Sequence, residues 1–297
     1  MLPFWLSIGL LSLAQGAIVA LGRVPQVSAL AHLRDRRWAV IPPLSVLGFV
    51  LVATLAERAS AQGLTYLALV AVPLLAALAL GWLTHGARPA RALLVLPLFA
   101  LAWADAGALG GEAAALALSA LSCVALGVLL AIVTPPRWLA GGIVAMAAVD
   151  AALVIADLLQ KPNQALNAAH PAAGLPRLQN ALLGSAVMGY GDLFVAGALG
   201  ALLAFAAGPG VQWRGAVLAA AFAVCFDLLF FVVDELPATV PVALTLIAVV
   251  AARRRRRSDG PTGPARLPEA SARPAPGPDR PRRERPPDQA PPRPAAP

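Results

Sequence analysis

Five aspartates, Asp105, Asp150, Asp157, Asp192 and Asp227, sit inside runs of apolar residues. An ionisable side chain at the middle of a bilayer costs on the order of 2.5 to 3.5 kcal/mol, so a carboxylate kept there is a candidate for chemistry. Depth sorts the five. Measured from the ends of their apolar runs near residues 160 and 181, Asp150 and Asp192 each lie about ten residues in, roughly 15 Å at 1.5 Å per helical residue. Two consecutive antiparallel helices would thus bring two carboxylates to one level. Asp157 shares a helical face with Asp150 but lies only about 5 Å from the boundary. Two carboxylates held together cannot both ionise: one keeps a proton near neutral pH while the other acts as base toward a shared water. Such a pair can hydrolyse an acyl bond without a nucleophilic serine or cysteine. Asp105 and Asp227 are expected to be partners of Ser, Thr or Trp groups, and His170 to be a solvated loop residue.

The surroundings of Asp192 strengthen the case. Gly189-Tyr190-Gly191-Asp192 puts two glycines just before the carboxylate, which weakens a helix and lets another backbone approach closely. Further on, Leu236-Pro237-Ala238-Thr239-Val240-Pro241 carries two prolines that cannot donate main-chain hydrogen bonds. An irregular backbone at membrane depth is tolerated where it lines a cavity or is buried in protein. Other chemistries lack their residues. Cys123 and Cys225 both fall in apolar runs, His32, His85 and His170 are scattered, and there is no HExxH pattern, so neither a metal nor an organic cofactor is implied.

The elements that must position these residues are membrane helices. Of 297 residues, 59% are apolar and 13% charged, and the mean hydropathy is +0.74, values foreign to a soluble domain. Nine stretches are long enough to cross the hydrocarbon, near residues 3–22, 38–56, 64–84, 92–110, 113–134, 138–159, 181–207, 215–233 and 236–251. Continuous apolar runs exclude a β-barrel and predict an all-α polytopic protein. Residues 1–22 lack a basic start and read as a retained first span. Arginines collect in alternate loops: Arg23 to Arg37, then Arg88 and Arg91, Arg137, Arg214, and the run Arg253 to Arg257. The other loops carry Glu57 with Arg58, Glu112, residues 160–180 with Lys161 and Arg177, and Asp234 with Glu235. The positive-inside rule then predicts a plasma (inner) membrane protein with its amino terminus outside and its carboxyl terminus in the cytoplasm.

The formal charge of +8 suggests nucleic acid only until it is located. Residues 252–297 hold 12 basic and 5 acidic side chains, a net of +7, which leaves the membrane part nearly neutral. This Pro- and Arg-rich stretch cannot bury a core and is expected to be a disordered tail, its arginines meeting anionic lipid headgroups. The reading divides the chain into residues 1–137, a five-helix region; 138–251, the region carrying Asp150 and Asp192; and 252–297, the tail.

The stretch Gly189-Tyr190-Gly191-Asp192-Leu193-Phe194 resembles the seventh-helix motif of the GxGD intramembrane aspartyl proteases, the family of presenilin and signal peptide peptidase. Their sixth-helix Tyr-Asp pair would fall on Val149-Asp150 and their Pro-Ala-Leu motif on Pro237-Ala238-Thr239. The chain departs at the tyrosine and at the leucine. The resemblance covers roughly residues 138–251 and implies a presenilin-like fold and cleavage of transmembrane segments or remnant signal peptides. It also implies Asp150 and Asp192 as the catalytic pair, with Gly189, Tyr190, Gly191, Pro237, Ala238 and Thr239 around the substrate. Element order, the gap of 42 residues between the aspartates and the expected orientation favour the signal peptide peptidase branch. Type IV prepilin peptidases share the GxGD words, but their motif continues with a lysine where this chain has Phe194. A transporter could also place Asp105, Asp150, Asp192 and Asp227 along an ion or proton path. The two halves of the chain show no matching pair of broken helices.

Overall fold

The computed structural model describes residues 2–25, 32–233 and 235–258. Ten α-helices and one hairpin follow in order: α1 (Phe4–Leu21), α2 (Ile41–Leu55), α3 (Glu57–Leu78), α4 (Val95–Ala104), α5 (Leu109–Val133), α6 (Pro136–Ile155), α7 (Gln160–Ala168), β1 (Asn180–Leu183), β2 (Ala186–Gly189), α8 (Tyr190–Ala207), α9 (Pro209–Asp227) and α10 (Val240–Ser258). Among the described residues, seven helical segments are long and apolar enough to cross a membrane, and Pro89–Ala104 is a shorter apolar one. The elements up to Arg255 belong to one unit. Of the expected tail 252–297, residues 252–258 are not irregular but continue α10; the rest lies outside the described residues, as does Asp234.

Helix α8 is the centre of the packing. Every residue from Leu193 to Leu203 is buried, so this helix is apolar on all faces because it is surrounded on all faces. Glycines allow the close approach. A Cβ on Gly197 would overlap the main chain of Cys123 in α5, one on Gly127 would overlap the main chain of Gly197, and one on Gly200 would overlap Val19 in α1. Small residues that let backbones touch are how helices associate where lipid is as apolar as leucine.

Contacts between loops gather at two ends of the helices. At one end Gly22 bridges Thr84, Gln212 Nε2 donates to the carbonyls of Val19 and Gly22 at 2.9 and 2.7 Å, and the Asp35 N–H meets Val133 O. At the other, Glu112 accepts from the Gly184 N–H at 2.7 Å and Asn163 Nδ2 donates to Glu235 at 3.1 Å. Aromatic rings tie α1 to the 3-10 turn Leu228–Phe231: Trp5 stacks on Phe231 with centroids 4.4 Å apart, and Phe4 meets Phe230 edge-on at 5.5 Å.

Two sequence expectations need correcting. Residues 181–207 are not one helical span: the first part is the antiparallel hairpin β1–β2, and α8 begins only at Tyr190. Gly184 and Ser185 form a two-residue turn in which Gly184 takes φ 61°, a conformation glycine adopts without a Cβ penalty. Nor do the prolines break the last helix. Pro237 lies ahead of it in an irregular segment, and Pro241 occupies its first turn, where a missing N–H costs nothing.

Candidate active site

Helix α6 ends at Ile155, five residues beyond Asp150, and Asp192 is the third residue of α8. One helix leaves and the other enters at the same level, which brings the two carboxylates together. Both sit about 8 Å or less from their helix ends, shallower than the sequence reading placed them. Gly191, the residue before Asp192, lies against Met146, one turn before Asp150, so these two helix ends pack together. Asp157, by contrast, falls past the end of α6 in an exposed turn with φ 57°, away from this pair.

Each carboxylate is held by a fixed donor. The Gly189 N–H donates to Asp192 Oδ2 at 3.1 Å, a side chain in the first turn reaching back to the residue before the helix. This explains the glycine at 189: a Cβ there would come 2.9 Å from that same oxygen. Thr239 Oγ1 donates to Asp150 Oδ2 at 2.6 Å, a short bond of the kind a carboxylate accepts. Where the family pattern has leucine, this chain therefore places a hydroxyl on the sixth-helix aspartate. Both Thr239 and Asp150 are buried, at 1% and 8% exposure.

The remaining expected residues divide between cavity and scaffold. A cavity of about 180 Å³ is lined by Asp192, Gly189, Met188 and Val187 on one side and by Glu235, Leu236, Ala238 and Pro241 on another. Ile8, Ser12 and Gln15 of α1 and Asp227 and Phe230 near the end of α9 also line it. Tyr190 turns toward α5, where its hydroxyl meets Ser122 Oγ at 2.7 Å, and so acts as a strut. Gly191 faces Met146 of α6 at ordinary contact distance. The Pro237 carbonyl accepts the Val240 N–H at 3.1 Å, closing the turn that carries Ala238 and Thr239.

Asp227 behaves as expected, accepting from Ser12 Oγ at 2.7 Å. Asp105 does not partner a side chain: its Oδ2 accepts the Gly111 N–H at 3.1 Å, satisfying a free amide in the first turn of α5. His170 is exposed, as expected. Among the described residues, no group of three or more His, Cys, Asp or Glu is arranged to hold a metal ion.

Sequence reasoning missed Gln15. This α1 residue is 1% exposed, and its Nε2 donates to the Ala238 carbonyl at 2.9 Å and to the Asp192 carbonyl at 3.4 Å. One side chain thereby ties the segment before α10 to the start of α8. Its signal was available: a glutamine in an apolar span, three residues after Ser12, is polar on one helical face and needs partners. Against known proteins, no family model, no curated protein and no solved structure matches this chain.

Proposed function

We propose that the protein is an intramembrane aspartyl protease that hydrolyses a peptide bond within an apolar transmembrane segment. The observation carrying this reading is that Asp150 and Asp192 stand at the meeting ends of α6 and α8, the first buried and the second half-buried in the wall of a cavity. Each accepts a fixed donor on Oδ2, which holds its carboxyl group in one orientation. In the hydrolysis, the ionised carboxylate takes a proton from water as its oxygen attacks the carbonyl carbon, and the protonated one gives its proton to the carbonyl oxygen. Collapse of the resulting gem-diol breaks the C–N bond, with the amine leaving as it receives a proton from the pair. No cofactor enters any step.

A helical substrate shields its own amides, so it must unwind to be cut. β2 has a partner on one side only, and its Val187, Met188 and Gly189 line the cavity just ahead of Asp192. An extended segment can pair with such an edge. Incubating the purified protein with a model transmembrane peptide, with and without a hydroxyl-bearing transition-state mimic, tests the reading. Mimic-sensitive cleavage within the apolar segment is expected; an intact peptide overturns the assignment.

Nine spans, with the amino terminus outside, the carboxyl terminus in the cytoplasm and the Arg253 to Arg257 run at the inner leaflet, complete the proposal. In that orientation the Asp150 helix runs outward and the Asp192 helix inward. Main-chain pairing reads chain direction, so substrates with a cytoplasmic amino terminus should be cleaved faster than the same apolar segment reversed. Paired reporters of opposite orientation in cells measure this, and equal rates would remove the orientation.

Thr239 gives a sharper local test. Thr239→Val keeps the shape but deletes the donor to Asp150, a loss of about 1 to 2 kcal/mol of stabilising interaction. Turnover should fall roughly tenfold with little change in KM, and Thr239→Ser should restore it. A valine variant with wild-type turnover would show that the hydroxyl does not serve the pair.

A further inference from the structure

We propose that Gln15 is a substrate-binding residue whose side-chain carbonyl, Oε1, accepts a main-chain N–H of an extended polypeptide segment lying in the cavity. The identity of that segment rests on the protease reading above. The site itself rests on three observations. Gln15 is almost wholly buried, at 1% exposure, and lines the same cavity as Asp192 and Gly189. Its Nε2 is fixed by two carbonyls, Ala238 at 2.9 Å and Asp192 at 3.4 Å, which sets the orientation of the whole amide group. Among the described residues, Oε1 has no hydrogen-bond partner.

A buried acceptor without a donor costs stability, and such an atom beside a cavity marks where a ligand's donor belongs. The donor follows from the chemistry of the segment. An apolar peptide that has unwound carries no polar groups except its main-chain N–H and C=O, and each needs a partner at membrane depth. The extended backbone of β2 offers pairing along one wall; Gln15 offers a single acceptor from α1. The hydroxyl of its neighbour Ser12 already donates to Asp227 Oδ2, whereas the glutamine carbonyl is uncommitted among the described residues. Because the same amide grips the Asp192 and Ala238 carbonyls, a substrate N–H on Oε1 would be placed in fixed register with the aspartate pair.

The experiment uses a synthetic apolar peptide of about twenty residues, long enough to span a bilayer, in which a hydroxyethylene group replaces one peptide bond. A series of these peptides carries an ester in place of one amide at a time, which removes a single N–H. Affinity is measured directly on the full-length protein in detergent, so hydrolysis is not required. One ester position is expected to weaken binding to the wild type by roughly tenfold. In Gln15→Met that position should lose its penalty while penalties elsewhere in the peptide persist. A diazirine placed at the sensitive position of the peptide should crosslink to the α1 segment of the unaltered protein, a readout that needs no folded variant. A penalty that persists in Gln15→Met, a series with no sensitive position, or a crosslink that avoids α1 overturns the proposal for Gln15 while leaving the protease reading in place. Failure of the parent peptide to bind at all overturns both.

Discussion

Asp150→Asn and Asp192→Asn are each expected to reduce cleavage of a transmembrane peptide by at least about a thousandfold, the scale at which removing one member of a catalytic unit stops it. Asparagine keeps the shape and an acceptor oxygen, so the bonds from Thr239 to residue 150 and from Gly189 to residue 192 can persist. What is lost is the shared proton: an amide can neither take a proton from water nor pass one to the carbonyl oxygen. Both variants should therefore insert and unfold like the parent. Asp157→Asn is the matched control. That residue is exposed in a turn at φ 57°, a left-handed conformation asparagine tolerates, and its loss should leave rates within about twofold. Initial rates on one peptide, with thermal unfolding of each variant, check the set. Near-parental turnover by either dyad variant would end the protease assignment.

The two aspartates were legible because a buried charge is costly and its position can be counted along a helix. The count put Asp150 and Asp192 at one level, and the helix ends do meet there, but both residues lie nearer those ends than the count had them. Residues 180–189 are apolar enough to pass as membrane helix, and hydropathy does not register secondary structure. The distinguishing signal was Gly184-Ser185, a two-residue turn between short apolar runs, which is a hairpin pattern. Pro237 and Pro241 were recognised as irregular backbone, yet the irregularity precedes α10 instead of interrupting it, since proline is at home in a first helical turn. Thr239 was read as a departure from leucine beside the substrate, not as a partner of Asp150. Its bond to Asp150 spans 89 residues of sequence, and no local pattern encodes a contact of that kind. The same holds for Gln15, which reaches Asp192 and Ala238 across 177 and 223 residues.

Gly197→Ala is expected to be among the most damaging substitutions outside the aspartate pair, although it adds only a methyl group. The added carbon would fall on the main chain of Cys123 in α5, and backbone cannot swing aside as a side-chain tip can. The facing Gly127 is tight against Gly197 in turn, so α8 could relieve the overlap only by moving off α5 as a unit. Overpacking of this type costs on the order of 3 kcal/mol and should lower the melting temperature in detergent by about 10 °C. Gly48→Ala supplies the contrast, because nothing lies within 4 Å of a Cβ there and the residue is in the interior of α2. Replacing that glycine should leave stability unchanged or raise it by about 0.5 to 1 kcal/mol through the lower entropy of the unfolded chain. Since α8 carries Asp192 in its first turn, displacement from α5 also carries the carboxylate away from Asp150. Gly197→Ala should therefore lose stability and turnover together, whereas Asp192→Asn loses turnover alone. A Gly197→Ala protein that melts with the parent would show that the α5–α8 interface is looser than its glycines require.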